Sequence, residues 1–228
     1  MPEKQFQSAE RAQRSILARA EKATLLWLAA RMPRWVSSDL LTLIGSLAML
    51  GAGLSYWLSR YDRRGLLLVI VFLAINWFGD SLDGTLARFR NQQRPRYGFY
   101  VDHIVDTLGA FFLLGGLALS GYISAWIAAA LLIAFYLISI EVYLAAYTLG
   151  TFHLSMGGFG PTELRILLSL GNLYLFFNPE VPIVPIIGRA YRLFDIGGAL
   201  GAAGMTLLMC IAAVRHTRAL YRAEPLPR

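Results

Sequence analysis

The sequence predicts an all-α integral membrane protein, a six-transmembrane-helix bundle preceded by an N-terminal interfacial amphipathic helix. Of the 228 residues, 57% are hydrophobic and 15% are charged, against about 25% charged in an average soluble domain. The mean hydropathy is +0.53, and the apolar residues form runs of about 20, the length of a helix that spans a bilayer. These values exclude a water-soluble globule, and the long apolar runs exclude a disordered tail.

Six apolar segments have the length and composition expected of spans. In chain order they are Leu40–Ser59, Gly65–Ala87, Gly98–Ser120, Ile123–Leu149, Thr162–Phe177 and Leu193–Val214. The fifth is the shortest and follows a glycine-rich stretch. Because the loops are short, we expect one membrane domain over residues 37–216, between an N-terminal region (1–36) and a basic tail (217–228).

Positive charges are distributed unequally between the two ends of these segments. The net charge is +7, and 15 of the 21 Lys and Arg lie before the first segment, after the second or after the sixth. Since such charges concentrate on the cytoplasmic side, both termini and the loop after the second segment are expected there. The expected location is a bacterial or archaeal cytoplasmic membrane. A nucleic-acid partner is not expected, because a basic nucleic-acid binder displays its charge on a soluble fold.

The region before the first span mixes basic and apolar residues. Over Gln5–Trp35, Lys and Arg alternate with positions such as Ile16, Leu25 and Trp27. This pattern is typical of an amphipathic helix lying on anionic lipid. The alternative is a solvated tail with one frayed helical turn.

Four aspartates lie in or near the ends of the second and third spans. Asp80 and Asp83 are three residues apart, and Asp102 and Asp106 are four apart, so each pair shares one helix face. The connecting loop is short, so the two helices should be antiparallel neighbours whose four carboxylates converge. Ionised carboxylates inside a membrane are costly unless they are paired or bind a cation.

This convergence predicts a site for hard divalent cations. Oxygen-only ligands favour Mg²⁺ or Mn²⁺, and four acids can hold two such ions, an arrangement typical of phosphate displacement. Gly84 would let a phosphate approach the backbone, Arg88 could neutralise a pyrophosphate, and Gly98 would permit close packing beside the metals. The alternative is that the acids are ordinary helix-end residues paired with the arginines of the loop.

The acidic segment has a recognisable pattern. It reads Asp80-Ser-Leu-Asp83-Gly84-Thr-Leu-Ala87-Arg88, then nine residues, then Gly98-Phe-Tyr-Val-Asp102-His-Ile-Val-Asp106. This resembles the CDP-alcohol phosphotransferase (CDP-alcohol phosphatidyltransferase) signature, D-x2-D-G-x2-A-R followed by G-x3-D-x3-D, and matches all eight fixed positions. The expectation of six spans also agrees with that family.

The resemblance implies an enzyme of phospholipid synthesis that releases CMP from a CDP-linked donor as it transfers a substituted phosphate to a hydroxyl acceptor. Metal ligands would be Asp80, Asp83, Asp102 and Asp106, with Asp106 also accepting the hydroxyl proton. Gly84, Ala87, Arg88 and Gly98 would line the nucleotide and phosphate site. The resemblance also implies a homodimer. The active site would face the cytoplasm.

Two further elements are similar to family features. Asp39-Leu-Leu-Thr42 looks like an Asn-x2-Thr element near the nucleotide, with Asp in place of Asn; its alternative is a helix N-cap at Ser38 or Asp39. His103, Glu141-Val-Tyr143 and Gly160-Pro-Thr-Glu163 resemble the choline/ethanolamine phosphotransferase branch. In that branch His103 and Glu163 would assist deprotonation of a diacylglycerol hydroxyl. The alternatives are a locally paired histidine and an ordinary first-turn acid.

The substrates stay open at this stage. The branch similarity favours a CDP-ethanolamine- or CDP-choline-like donor with a diacylglycerol-like acceptor. The same metal motif also serves CDP-diacylglycerol donors with polar acceptors such as inositol or glycerol phosphates. A different class, a small cation-coupled transporter, would also place acids inside the membrane, but no inverted repeat is visible.

Overall fold

The computed structural model describes residues 18–150, 160–178, 180–186 and 189–224. Within these ranges the chain forms helices and one short hairpin. In order they are α1 (Ala18–Arg31), α2 (Ser38–Leu58), α3 (Arg64–Phe89), α4 (Pro95–Ser120), α5 (Ala125–Leu149), α6 (Pro161–Phe177), β1 (Ile183–Ile186), β2 (Arg189–Arg192) and α7 (Leu193–Ala223).

Five of the described helices, α2 to α5 and α7, are long and apolar enough to cross a membrane. The protein is therefore an integral membrane protein. Helix α6 occupies the position of the fifth predicted span, but its 17 residues extend only about 26 Å at 1.5 Å per residue. This is slightly less than the hydrocarbon core of about 30 Å, so the sixth crossing stays a prediction.

A short antiparallel hairpin between α6 and α7 departs from the all-α prediction. Val184 of β1 lies opposite Tyr191 of β2, and Pro185 lies opposite Ala190. Proline cannot sit inside a helix, whereas it is tolerated on an edge strand. The β-branched residues and the prolines around them therefore favour extended structure here.

Helix α7 is longer than its apolar run. It ends at Ala223 rather than Val214 and includes Arg215, Arg218 and Arg222. Arg, Ala and Leu are good helix formers, so the helix continues after the hydrophobic stretch ends. The predicted basic tail therefore begins inside α7, and most of its described residues form the last turns of that helix.

Helix α1 packs against the end of the bundle that carries the aspartates. Leu25 and Ala29 are buried in a cluster that includes Leu82 and Leu86 of α3. The Arg90 guanidinium, just after α3, donates hydrogen bonds to the carbonyl oxygens of Val36 (2.5 Å), Pro33 (2.8 Å) and Met32 (3.1 Å). The segment joining α1 to α2 is therefore fixed to α3. An interfacial position on lipid stays a prediction, and the residues before Ala18 lie outside the described part.

Glycines allow α2 to approach its neighbours closely. A Cβ placed on Gly79 of α3 would lie 2.5 Å from the Leu41 carbonyl oxygen and 2.7 Å from the Gly45 nitrogen, both backbone atoms of α2. At the same crossing, the buried Asn76 side chain donates a hydrogen bond of 3.1 Å to the Gly45 carbonyl. This contact fixes α2 against α3 within one turn of Asp80 and Asp83.

Candidate active site

Three of the four predicted aspartates converge between α3 and α4. Asp80, Asp102 and Asp106 each place a carboxylate oxygen within 4.8 Å of the others. The short turn between Phe89 and Pro95 brings the connected ends of α3 and α4 together, but the expectation that the two helices pack as neighbours is wrong, because each packs against α2 and the two barely contact each other. All the ligand atoms are oxygens, so this group, called the acid cluster below, fits a hard divalent cation.

Asp83 lies beside the acid cluster, but its oxygens contact the protein itself. Its Oδ2 accepts a hydrogen bond of 2.6 Å from the Thr42 hydroxyl of α2, and its Oδ1 accepts one from the Gly84 backbone N–H. Asp83 also interacts electrostatically with Asp80 and Asp102. The structure therefore places all four acids in one neighbourhood, with Asp83 orientated by α2.

Arg165 of α6 contacts the acid cluster, a role that the sequence analysis missed. Its Nη2 lies 2.5 Å from Asp80 Oδ2, and its Nε donates to Asn76 Oδ1 at 2.8 Å. The Arg165 side chain is 16% exposed and that of Asp80 is 26% exposed. The available signal was a single arginine near the start of an apolar segment, because such a charge needs a partner inside a membrane bundle.

Thr42 and Asp39, which the sequence places in one element, have different partners in the structure. Thr42 reaches the site through Asp83, whereas Asp39 forms an ion pair with Arg94 in the loop before α4. The hydrogen bond that the Arg94 guanidinium donates to the Asp39 carboxylate raises the pKa of Arg94. The N-cap of α2 is neither Ser38 nor Asp39 but Ser37, whose hydroxyl accepts the Leu40 N–H at 3.1 Å.

The small residues of the motif lie near the aspartates, and Arg88 is exposed. Gly84 and Ala87 are half-buried on α3, and the Arg88 Nη2 donates to Thr85 Oγ1 at 3.2 Å. Gly98 is exposed, and a Cβ added there would meet no atom of the described chain within 4 Å. The close helix packing expected at Gly98 is therefore absent from the described part, and the space beside it is open.

His103 is held locally on α4. Its Nδ1 lies 2.6 Å from the Phe99 carbonyl oxygen and 3.9 Å from Asp102 Oδ2. Its ring stacks on Phe99 with centroids 4.1 Å apart, and meets Tyr143 of α5 edge-on at 4.4 Å. This is the local pairing weighed as the alternative for His103.

Glu163 also makes the contact expected of a helix-start acid. Its Oε2 accepts the Gly160 backbone N–H at 3.0 Å, which satisfies one N–H at the start of α6. The geometry of His103 and Glu163 therefore gives no specific support to the choline/ethanolamine branch.

Glu141, part of the segment that resembles the choline/ethanolamine branch, contacts α7. Its Oε1 lies 2.6 Å from Nδ1 of His216. Its Oε2 is buried and has no hydrogen-bond partner in the part of the chain that the structure describes. Glu141 and His216 therefore form a polar link between α5 and α7.

Two comparisons with known proteins give the family of the chain that carries the acid cluster. The family model for CDP-alcohol phosphatidyltransferase matches residues 35–214. An archaetidylinositol phosphate synthase from Pyrococcus horikoshii is 28% identical over 152 residues, which cover 67% of this chain and 77% of that protein. The matched region contains α2 to α6 and most of α7. The chain therefore belongs to the CDP-alcohol phosphatidyltransferase family, whose members are transferases of phosphate-containing groups.

Proposed function

We propose that this protein transfers a lipid-bearing phosphate group from a CDP-linked lipid to the hydroxyl of a polar alcohol that itself carries a phosphate, and releases CMP. The observation that carries the proposal is the acid cluster, in which Asp80 of α3 and Asp102 and Asp106 of α4 converge. The family match and the name of the synthase from Pyrococcus horikoshii support it.

Asp80, Asp83, Asp102 and Asp106 are the proposed metal ligands, and the ions are Mg²⁺ or Mn²⁺, two in number. When bound, such ions neutralise negative charge on the donor pyrophosphate. The residues fit this role because the acid cluster brings three carboxylates together and all its donor atoms are oxygens. Gly84, Ala87 and Arg88 are proposed to line the nucleotide side, where the exposed Arg88 can meet a phosphate.

Asp106 is the proposed base. It is the most exposed member of the acid cluster, so an acceptor hydroxyl can approach it. The acceptor oxygen forms a bond to the phosphorus that carries the lipid, and the bond from that phosphorus to the CMP oxygen breaks. CMP leaves with the bonding electron pair, and the hydroxyl proton passes to the Asp106 carboxylate. The donor and the acceptor are therefore the two reactants of the step, and neither is oxidised or reduced.

Two observations favour a phosphate-bearing acceptor over the diacylglycerol-like acceptor that the sequence favoured. Archaetidylinositol phosphate contains a lipid phosphate joined to an inositol phosphate, so its synthesis by this family's chemistry needs an inositol phosphate acceptor. The guanidinium of Arg165 also lies beside the acid cluster, where it can bind an anionic acceptor group. His103 and Glu163, in contrast, contact the backbone at Phe99 and Gly160.

A substrate panel tests the proposal directly. Purified full-length protein with Mg²⁺ would receive a CDP-linked dialkyl- or diacylglycerol with inositol phosphate, glycerol phosphate or plain inositol. Parallel reactions would contain CDP-choline or CDP-ethanolamine with diacylglycerol. We expect CMP release with the phosphate-bearing acceptors. Release only with CDP-choline or CDP-ethanolamine would restore the first interpretation, and release with no donor would contradict the enzyme assignment.

The Thr42–Asp83 hydrogen bond gives a prediction about metal binding. We expect Thr42→Val to weaken Mn²⁺ binding by about 10- to 100-fold, the usual effect of removing a partner that orientates a metal ligand. Thr42→Ser keeps the hydroxyl and should bind Mn²⁺ nearly as the unmodified protein does. Titration of the purified variants with Mn²⁺ measures the affinity. Equal affinities for the Val and Ser variants would exclude this role for Thr42.

The remaining proposals concern the setting of the enzyme. We propose that the protein acts as a homodimer in a bacterial or archaeal cytoplasmic membrane. The termini and the acid cluster would face the cytoplasm, where CDP-linked substrates are available. The unequal distribution of Lys and Arg supports this orientation.

A further inference from the structure

One carboxylate oxygen of α1 connects three helices beside the acid cluster. Glu21 Oε1 accepts hydrogen bonds from Trp77 Nε1 at 2.9 Å and from the Ser81 hydroxyl at 3.3 Å, both on α3. It also accepts one from the Thr162 hydroxyl of α6 at 2.7 Å. Glu21 is half-buried, so these hydrogen bonds are partly shielded from water and fix its position.

The neighbours of these donors belong to the site. Ser81 follows Asp80 directly on α3. Thr162 lies in the first turn of α6, three residues before Arg165, so both residues lie on one side of that helix. Holding the Thr162 hydroxyl against α3 therefore also holds the Arg165 backbone at the height of Asp80. The Arg165 side chain then reaches Asp80 Oδ2 and Asn76 Oδ1.

We propose that Glu21 is a positioning residue that holds the start of α6 on α3, so that Arg165 occupies Asp80 and sets the affinity of the acid cluster for divalent cations. The inference rests on the proposed function in one respect, because it treats Asp80 as a metal ligand. It assigns a role to α1 beyond contact with the membrane surface.

The electrostatics give the expected direction of the effect. A guanidinium 2.5 Å from Asp80 Oδ2 occupies an oxygen that a cation would use, and it repels that cation at short range. Arg165 therefore weakens metal binding as long as it stays in place. Loss of the Glu21 contacts should release Arg165 and tighten metal binding, whereas general damage to the fold would weaken it.

The experiment is a double-mutant cycle on Mn²⁺ affinity, measured by titration of detergent-purified full-length protein without substrate. We expect Glu21→Ala and Thr162→Val each to lower the Kd for Mn²⁺ by at least about 2-fold, within the range of coupling between contacting groups. Arg165→Gln should lower it further, and Glu21→Ala should have no additional effect in the Arg165→Gln background. Glu21→Gln keeps the acceptor oxygen and should behave as the unmodified protein does.

Two matched controls separate this coupling from general effects on α1. Lys22→Ala removes the exposed neighbour of Glu21, and Thr24→Val removes an exposed hydroxyl whose bond within the described ranges is to the Ala20 carbonyl of α1. Neither should change the Mn²⁺ affinity. The proposal would be overturned if Glu21→Ala changed the Kd for Mn²⁺ equally in the unmodified and the Arg165→Gln backgrounds. It would also be overturned if Glu21→Ala weakened Mn²⁺ binding.

Hydrogen exchange provides a readout that does not depend on metal. The amides of Ile166 and Leu167, just beyond the first turn of α6, should exchange faster in Glu21→Ala and Thr162→Val but not in the two controls. If the unmodified protein bound no Mn²⁺, the metal assignment would fail, while unchanged exchange in Glu21→Ala would reject the positioning role by itself.

Discussion

Replacement of Asp106 by Asn is expected to lower the rate of CMP release by about 10²- to 10⁴-fold, the usual contribution of a positioned general base. Asn has nearly the same size as Asp, so the packing of α4 should persist. The amide has no negative charge to bind a cation and cannot take the acceptor proton. Steady-state assays of CMP release, at saturating donor and acceptor, measure the effect on kcat.

Asp62→Asn is the matched control for this substitution. Asp62 lies in the loop before α3, where its Oδ1 accepts the Arg64 backbone N–H at 2.9 Å. The Asn side-chain oxygen can accept the same hydrogen bond, so both folding and turnover should remain normal. If Asp106→Asn retained turnover within a factor of three of the Asp62→Asn rate, Asp106 could not be the base.

Gly79→Ala is expected to destabilise the protein by about 1–3 kcal/mol, the usual cost of inserting a methyl group into a well-packed contact. The new Cβ would lie 2.5 Å from the Leu41 carbonyl oxygen and 2.7 Å from the Gly45 nitrogen. Both are backbone atoms, so α2 must move away from α3. This shift would also displace Thr42 from Asp83, and misplacement of catalytic groups by about 1 Å can reduce activity by about 10²-fold.

Gly115→Ala on α4 is the matched control, because a Cβ there meets no described atom within 4 Å. A helical Gly→Ala change into open space should leave the free energy of unfolding unchanged or raise it by up to about 1 kcal/mol. Thermal unfolding in detergent, with CMP release on the same samples, compares the two variants. Equal melting temperatures for Gly79→Ala and Gly115→Ala would show that the α2–α3 contact tolerates a side chain.

The positions of most helices could be predicted from the sequence, because a membrane helix is a long apolar run. The predicted ends of α2 to α5 differ from the observed ends by at most three residues, as at α4, which begins at Pro95 rather than Gly98. The end of α7 was harder to predict, since hydropathy does not register the helical turns that continue through Arg215 and Arg222. The hairpin was also missed, because its strands are only four residues long.

The acid cluster was predictable because its members are close in sequence and share helix faces. Asp80 lies on one helix, Asp102 and Asp106 lie on the next, and a short turn brings the connected ends of these helices together, although both pack on α2 rather than on each other. Arg165 and Glu21 could not be assigned in this way. Their partners are 85 and 60 residues distant, at Asp80 and Ser81, and the contacts depend on which helix faces meet. One sequence without helix-packing information does not determine those faces.

The Glu141–His216 link has a consequence for synthesis of the chain. The two residues are 75 positions apart, so at about 5–20 residues per second the ribosome adds His216 roughly 4–15 seconds after Glu141. Helix α5 therefore emerges with a carboxyl group whose partner has not yet been made. A carboxylate at the centre of a membrane helix disfavours insertion by about 3 kcal/mol. The last helix is thus expected to add to the stability of the fourth span after that span has entered the membrane.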